Sequence, residues 1–261
     1  MVGSLAALLR KLIDYAGLYP PAALPLSAVT ANYERYLASP ESWILNRLVL
    51  PANKLSEAAL RDHWRITLLV ESDPGELPPQ VESFESKIPL RLSKPTYYEP
   101  PRGGASGFAA GGFGAPLYAK LRTGGLTPDA IPSSALLADF LTQAAALRVP
   151  FKATAGLHHP IRSLRPLTYQ TDAPRAIMHG FLNVFTAAAF AWHGMDRRSL
   201  LGILGEQDPH AFEFTDDELR CHGHHLATNA IQTARRDFAH SFGSCSFEEP
   251  VSDLRELGLL P

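Results

Sequence analysis

Short apolar, β-branched runs recur along this chain with helix-forming stretches between most of them, and that rhythm restricts the fold more than any other feature. Residues 43–50 (WILNRLVL) and 65–70 (RITLLV) read as strands, ended by Pro51 and by the turn-forming residues 71–75. Residues 88–98 read as a further strand weakened by Pro89 and Pro95, and 117–121 and 149–153 as two more. Residues 55–63, 132–147 and 179–192 have helical composition, with Ser56 and either Ser133 or Ser134 as caps for the first two. Near-continuous apolar strands alternating with helices describe a parallel sheet covered on both faces. The 261 residues match the length of one closed α/β barrel. The expected fold is therefore α/β, a (β/α)8 TIM-type barrel forming a single domain over residues 1–261. An open doubly wound sheet would carry a Gly-rich phosphate turn, and neither G-x-G-x-x-G nor G-x-x-x-x-G-K-[ST] occurs here. One Gly-rich segment, 100–116, interrupts the rhythm and reads as a loop.

Composition narrows the function classes. A formal net charge of -2 provides no basic surface for nucleic acid or an anionic membrane. Two cysteines exclude a disulfide framework and suit a reducing compartment. The most apolar later segment, 181–192, is too short to span a bilayer. The apolar stretch at 5–9 precedes Arg10 and Lys11, the reverse of a secretory signal. A cytoplasmic protein is expected, with a small anionic substrate and further copies of itself in a homo-oligomer as partners, and with neither nucleic acid nor membrane among them.

Two segments share one layout, an apolar strand with a lysine near its end and small or hydroxylated residues after it: YAKLRTGG at 118–125 and FKATAGLHH at 151–159. In a parallel barrel the C-terminal strand ends and the following loops form the active-site mouth. Alternation places Lys120 and Arg122 on one side of their strand, and Lys152 and Thr154 on one side of theirs. Facing inward, they would bring two ammonium groups and a guanidinium together, and both crowding and desolvation would lower a lysine pKa. A neutral amine is what a Schiff-base nucleophile requires. Arg122 and the backbone of Thr123, Gly124 and Gly125 would hold an anion. His158 or His159 would move protons. Asp14 and Glu99 are carboxylates at strand ends, able to partner a lysine or a histidine. In the late segment 241–250, Gly243 and the serines, Ser244 among them, offer donors to an anion. Cys245 lies in that segment with no basic residue beside it in sequence to lower its pKa.

The segments IDYAGLYPPA (13–22), KLRTGG (120–125), FKATAGLHHP (151–160) and FGSCSFEEP (242–250) resemble those of an uncharacterised bacterial protein family, and the likeness runs through most of the chain. It implies no activity. Separately, FKATAG resembles the Schiff-base strand of the deoxyribose-phosphate aldolases, which are barrels with a second lysine on a neighbouring strand. That resemblance implies Lys152 as imine former and Lys120 as the cation that perturbs it, although here the second lysine precedes the first rather than following it. The expectation is an aldolase- or lyase-like enzyme for a small anionic carbonyl compound, needing no cofactor and no metal. One alternative is a metal-dependent hydrolase or isomerase using His158, His159 and the cluster Cys221-His222-Gly223-His224-His225, whose His-x-His spacing suits a metal. The other is a non-catalytic ligand-binding barrel.

Overall fold

The structure is a computed structural model and describes residues 2–100 and 114–261. Helix α1 (Gly3–Leu9) precedes strand β1 (Ile13–Tyr15), and α2 (Leu26–Leu37) leads into β2 (Leu45–Pro51). Strands β3 (Ile66–Leu69), β4 (Val81–Ser86), β5 (Thr96–Tyr98) and β6 (Leu117–Arg122) follow, then α3 (Ser134–Ala146) and β7 (Phe151–Thr154). An excursion then adds the hairpin β8 (Ser163–Pro166) and β9 (Arg175–Met178), helices α4 (Phe181–Trp192) and α5 (Arg197–Gly205), and the small sheet β10 (Glu213–Phe214), β11 (Glu218–Cys221) and β12 (His224–Ala227). Helix α6 (Thr228–Asp237), strand β13 (Ala239–Ser244) and helix α7 (Glu248–Glu256) complete the chain. Eight parallel strands close into a barrel in the order β1-β13-β7-β6-β5-β4-β3-β2. The (β/α)8-type barrel expected from the strand rhythm is the fold.

Alternation on β7 explains how the barrel is built. Phe151 and Ala153 point outward and are fully buried against helices; Phe151 packs edge-on against Phe140 of α3 and Phe238 beside α6, with ring centroids 5.3 and 5.0 Å apart. Burying a side chain of that size is worth about 1.5–3 kcal/mol. Helix α4, apolar around nearly its whole circumference, fills the space between α3, α5 and the barrel wall, as a helix without a polar face must. Ser133 caps α3 by accepting from the Leu136 N–H at 3.2 Å, and Asp196 caps α5 by accepting from Arg198 and Ser199.

Two local expectations are corrected. Residues 55–63 form no helix: the only helical turn between β2 and β3 is the 3-10 turn Ala52–Lys54. Ala59 adopts a left-handed backbone (φ 44°), and His63 is drawn instead to Glu34 of α2 at 3.0 Å. The strand expected over 88–98 is confined to β5, because Pro89 and Pro95 keep the preceding stretch out of the ladder; the strand in this region that the pattern did not announce is β4. Of the Gly-rich loop at 100–116, residues 101–113 lie outside the described residues. Among the described residues, no helix is long and apolar enough to cross a membrane.

Candidate active site

The barrel interior is charged. Lys120 and Lys152 stand opposite each other in the β6–β7 register, and Arg122 stands opposite Thr154. Their inward orientation holds, but three carboxylates are interleaved with the cations. Lys152 Nζ donates to Asp14 Oδ2 on β1 at 2.5 Å and to Glu85 Oε1 on β4. Lys120 Nζ pairs with Glu85 Oε2 at 2.6 Å and lies 3.1 Å from Glu99 Oε2, just past β5. Arg122 Nε donates to Glu99 Oε1 at 2.6 Å. Asp14 is further fixed by Asn46 Nδ2, Ser241 Oγ and the Arg47 backbone N–H, at 2.7, 2.7 and 3.1 Å.

This chain of alternating charge corrects the expectation of a lowered lysine pKa. Burial pushes Lys152 toward the neutral form, but Asp14 and Glu85 outweigh it, and its pKa lies above the ordinary lysine value. Burial likewise disfavours the Glu85 carboxylate, and the two ammonium groups overcome it, bringing it down to about 2. Lys152 is a fully buried cation beneath the mouth, whereas Lys120 lines a mouth cavity of about 480 Å³.

A second cluster borders the same cavity. Cys245 directly follows β13, where alternation brings Gly243 and Cys245 to the cavity; His158 lies in the loop after β7, and Glu249 in the first turn of α7. The left-handed residues Ala155 (φ 59°) and Gly156 (φ 80°) turn this loop back over the barrel. His158 Nδ1 lies 2.8 Å from Glu249 Oε2 and so donates to it, while Nε2 faces Cys245 Sγ at 4.0 Å. The sulfur also lies 3.7 Å from the Tyr169 hydroxyl. Burial opposes charge on both groups. Even so, the sulfur and the Glu249 carboxylate raise the His158 imidazole to about 9, and His158 holds the Cys245 thiol below its ordinary pKa. A thiol facing an imidazole, with a carboxylate orienting the ring, brings nucleophile, base and orienter together.

The remaining predicted residues divide cleanly. Arg122, Gly125, Thr154 and Glu99 line the cavity with Lys120 and His158. His159 turns to Asp253 of α7, 2.6 Å from its Nδ1, and borders an adjoining cleft. The Thr123 N–H is engaged by Thr154 O at 3.0 Å and so offers nothing to an anion. Gly124 is required because its backbone meets Gly156: a Cβ there would lie 2.9 Å from the Gly156 Cα. Ser244 is buried away from the cavity, its hydroxyl accepting from the Ser246 N–H at 3.3 Å, and Asp14 serves Lys152 rather than a ligand. His222 to His225 sit on the β11–β12 hairpin, where His222 pairs with Glu206 at 2.8 Å, and none of them borders the mouth. Among the described residues, no group of three or more His, Cys, Asp or Glu side chains is placed to hold a metal ion.

Two contributors escaped the sequence pattern. Glu85 was hidden with its unannounced strand. Cys245 was discounted for lack of a neighbouring base, and that base comes from 87 residues away. The signal that could have found it is the polar alternation Ser241-Gly243-Cys245 at the end of a strand.

No protein-family model, curated protein or solved structure matches the chain. The chemistry of the mouth therefore rests on its own geometry. Tyr19 also lines the cavity; its hydroxyl is buried and has no hydrogen-bond partner among the described residues, and burial raises its pKa, so it remains a donor. Lys87 lines the cavity with no carboxylate partner among the described residues.

Proposed function

We propose that the protein is a thiol-dependent acyl hydrolase for a small substrate that carries an anionic group. The observation supporting this reading is the alignment of Cys245, His158 and Glu249 at the wall of a cavity large enough for a small molecule. The Cys245 thiolate attacks the acyl carbon, and the carbonyl electron pair moves to oxygen, where the Tyr19 hydroxyl is the available donor. As the tetrahedral centre collapses, the bond to the leaving group breaks and the leaving group takes its proton from the His158 imidazolium. The imidazole then removes a proton from water, hydroxide attacks the thioester, and the acid departs as the sulfur regains its negative charge. Glu249 fixes the ring so that Nε2 faces the sulfur throughout. Lys87 and the outer edge of Arg122 attract the anionic group.

Intact-mass analysis after incubation with nitrophenyl esters of small dicarboxylic acids tests this. One acyl group on the Cys245 peptide, absent from Cys245→Ala, is expected; no adduct, or an adduct retained by that variant, contradicts it.

A lysine-based lyase, the expectation from the two strand-end lysines, is the second reading. It is favoured by one observation: Lys120 borders the cavity, its Nζ held between Glu85 and Glu99. The geometry favours Lys120 over Lys152 as the imine former, since the latter is walled off. Borohydride reduction in the presence of small aldehydes and ketones would attach an adduct that Lys120→Ala loses; no adduct with any of them removes this reading.

A further inference from the structure

At the opposite end of the barrel, where the strands begin, a second cavity of about 840 Å³ opens between the barrel floor, α1 and α6. Its walls carry Arg10, Lys11, Arg47, Arg65 and Arg235, and one carboxylate, Glu82, serves both Arg47 (2.8 Å) and Arg65 (2.9 Å). Arg236 also borders the cavity but is neutralised by Asp237 at 2.7 Å. Asp14, deeper in the barrel, is committed to Lys152. Arg10, Lys11 and Arg235 have no carboxylate partner among the described residues. Six cations therefore stand against three carboxylates, Glu82, Asp237 and Asp14, around a concave space.

Arg235 is the decisive residue. It is buried to about nine-tenths, donates to the backbone carbonyls of Ala239, Arg10 and Lys11, lies 5.1 Å from the Phe185 ring centroid, and its Nε has no hydrogen-bond partner among the described residues. Carbonyl oxygens and a neutral ring do not offset the burial of a cation as a carboxylate partner would. A buried guanidinium without a carboxylate partner, bordering a cavity that already holds excess positive charge, is organised for an anion that arrives from outside.

We propose that this floor cavity, walled by Lys11, Arg47, Arg65 and Arg235, binds a small molecule bearing a phosphoryl group. Guanidinium forks match phosphoryl oxygens, and one phosphoryl group concentrates up to two negative charges where several forks converge. The volume exceeds what a bare phosphate fills. On one wall Tyr97, Tyr118 and His240 form an edge-to-face aromatic cluster, with centroids 5.8 to 5.9 Å apart, that offers apolar surface to an organic portion. Nδ1 of His240 lies 2.7 Å from the Tyr97 hydroxyl and its Nε2 3.1 Å from the Arg236 carbonyl, which places the ring proton on Nε2. Burial, with Arg235 and Arg47 close by, lowers its pKa to about 4, so the ring adds no charge at neutral pH. The unfavourable field is felt at Lys11 as well, whose pKa is lowered chiefly by Arg65.

The test is calorimetric titration of the full chain with inorganic pyrophosphate, with citrate as a polyanion lacking phosphorus. One pyrophosphate per chain is expected, weakened roughly tenfold in Lys11→Gln, where one charge–phosphoryl contact is lost, and unchanged in Lys87→Gln at the opposite mouth. Arg235→Gln should bind still more weakly; because it touches three carbonyls, its fold is checked by circular dichroism, and Lys11→Gln carries the test if it is unfolded. Absence of saturable binding, equal affinity in Lys11→Gln, loss of binding in Lys87→Gln, or citrate binding as tightly as pyrophosphate would each overturn the proposal. None of these outcomes depends on the chemistry of Cys245.

Discussion

The chain has two cysteines, both buried, in surroundings that act on the thiol in opposite directions. Cys221 closes the β11–β12 hairpin; burial, with Glu206 nearby, pushes its thiol up to about 12. Cys245 is also buried, yet its thiol is held below the ordinary value by the ring of His158, the Tyr169 hydroxyl and the Ala22 N–H. Burial by itself makes a cysteine inert. A buried thiol becomes a nucleophile only when the fold places a base and donors around it. The lysines nearby complete the lesson: Lys152 is equally buried and surrounded by opposite charge, but its partners fix the proton in place rather than making it mobile.

The largest difference should appear in chemistry. Cys245→Ala is expected to lower turnover of an activated ester by roughly 10³-fold or more, as removal of a covalent nucleophile does, while Cys221→Ala leaves the rate within a factor of about two. Equal losses in the two variants, measured by initial rates, would erase the distinction.

Next in size is a stability effect with the opposite address. Lys152→Met leaves Asp14 and Glu85 buried and without their shared cation, a change that costs roughly 3–5 kcal/mol. Urea unfolding should show it, whereas Cys245→Ala shifts the same curve by under about 1 kcal/mol. A stable Lys152→Met protein would mean that the interior ladder is not structural.

The ladder also sets the acid limit. The folded-state pKa of Glu85 is depressed, so its contribution to stability is present above the unfolded value of 4.5 and is lost as pH falls toward about 2. His158 has the reverse sign. Its folded-state pKa is raised, so its contribution is complete below about 6.5 and is lost as pH rises through about 9. Thermal melts between pH 2 and 10 should therefore decline at both ends. Glu85→Gln should lose much of the acid-side dependence, and the smaller alkaline decline should vanish in His158→Gln.

The smallest expected effect is on orientation. Glu249→Gln keeps a hydrogen-bond acceptor for the imidazole but removes the charge that supports its proton, and should slow alkylation of Cys245 at pH 7 by roughly tenfold. An unchanged rate would make Glu249 incidental.

Much of the barrel was legible from the chain itself because its outward strand positions are apolar. Runs such as 65–70 and 149–153 announce strands whatever their inner faces carry. The convergence of Lys120 and Lys152 followed from alternation and parallel register alone. What stayed hidden depends on contacts distant in sequence. The charge state of Lys152 is set by Asp14, 138 residues away, and by Glu85 in a strand whose polar inner positions masked its periodicity. Cys245 acquires its base from another strand's loop. Local composition could place the lysines in the barrel, but not say which groups would neutralise them.

Iodoacetamide labelling of the native protein from pH 5 to 10, with each cysteine peptide quantified by mass spectrometry, tests the pairing of Cys245 with His158 most directly. The Cys245 labelling profile should lie on the acid side of an ordinary thiol's, with Cys221 unreactive up to pH 10, and His158→Gln should move the Cys245 profile to the alkaline side. A Cys245 rate that climbs tenfold per pH unit up to pH 9, with no response to loss of the imidazole, would contradict the account.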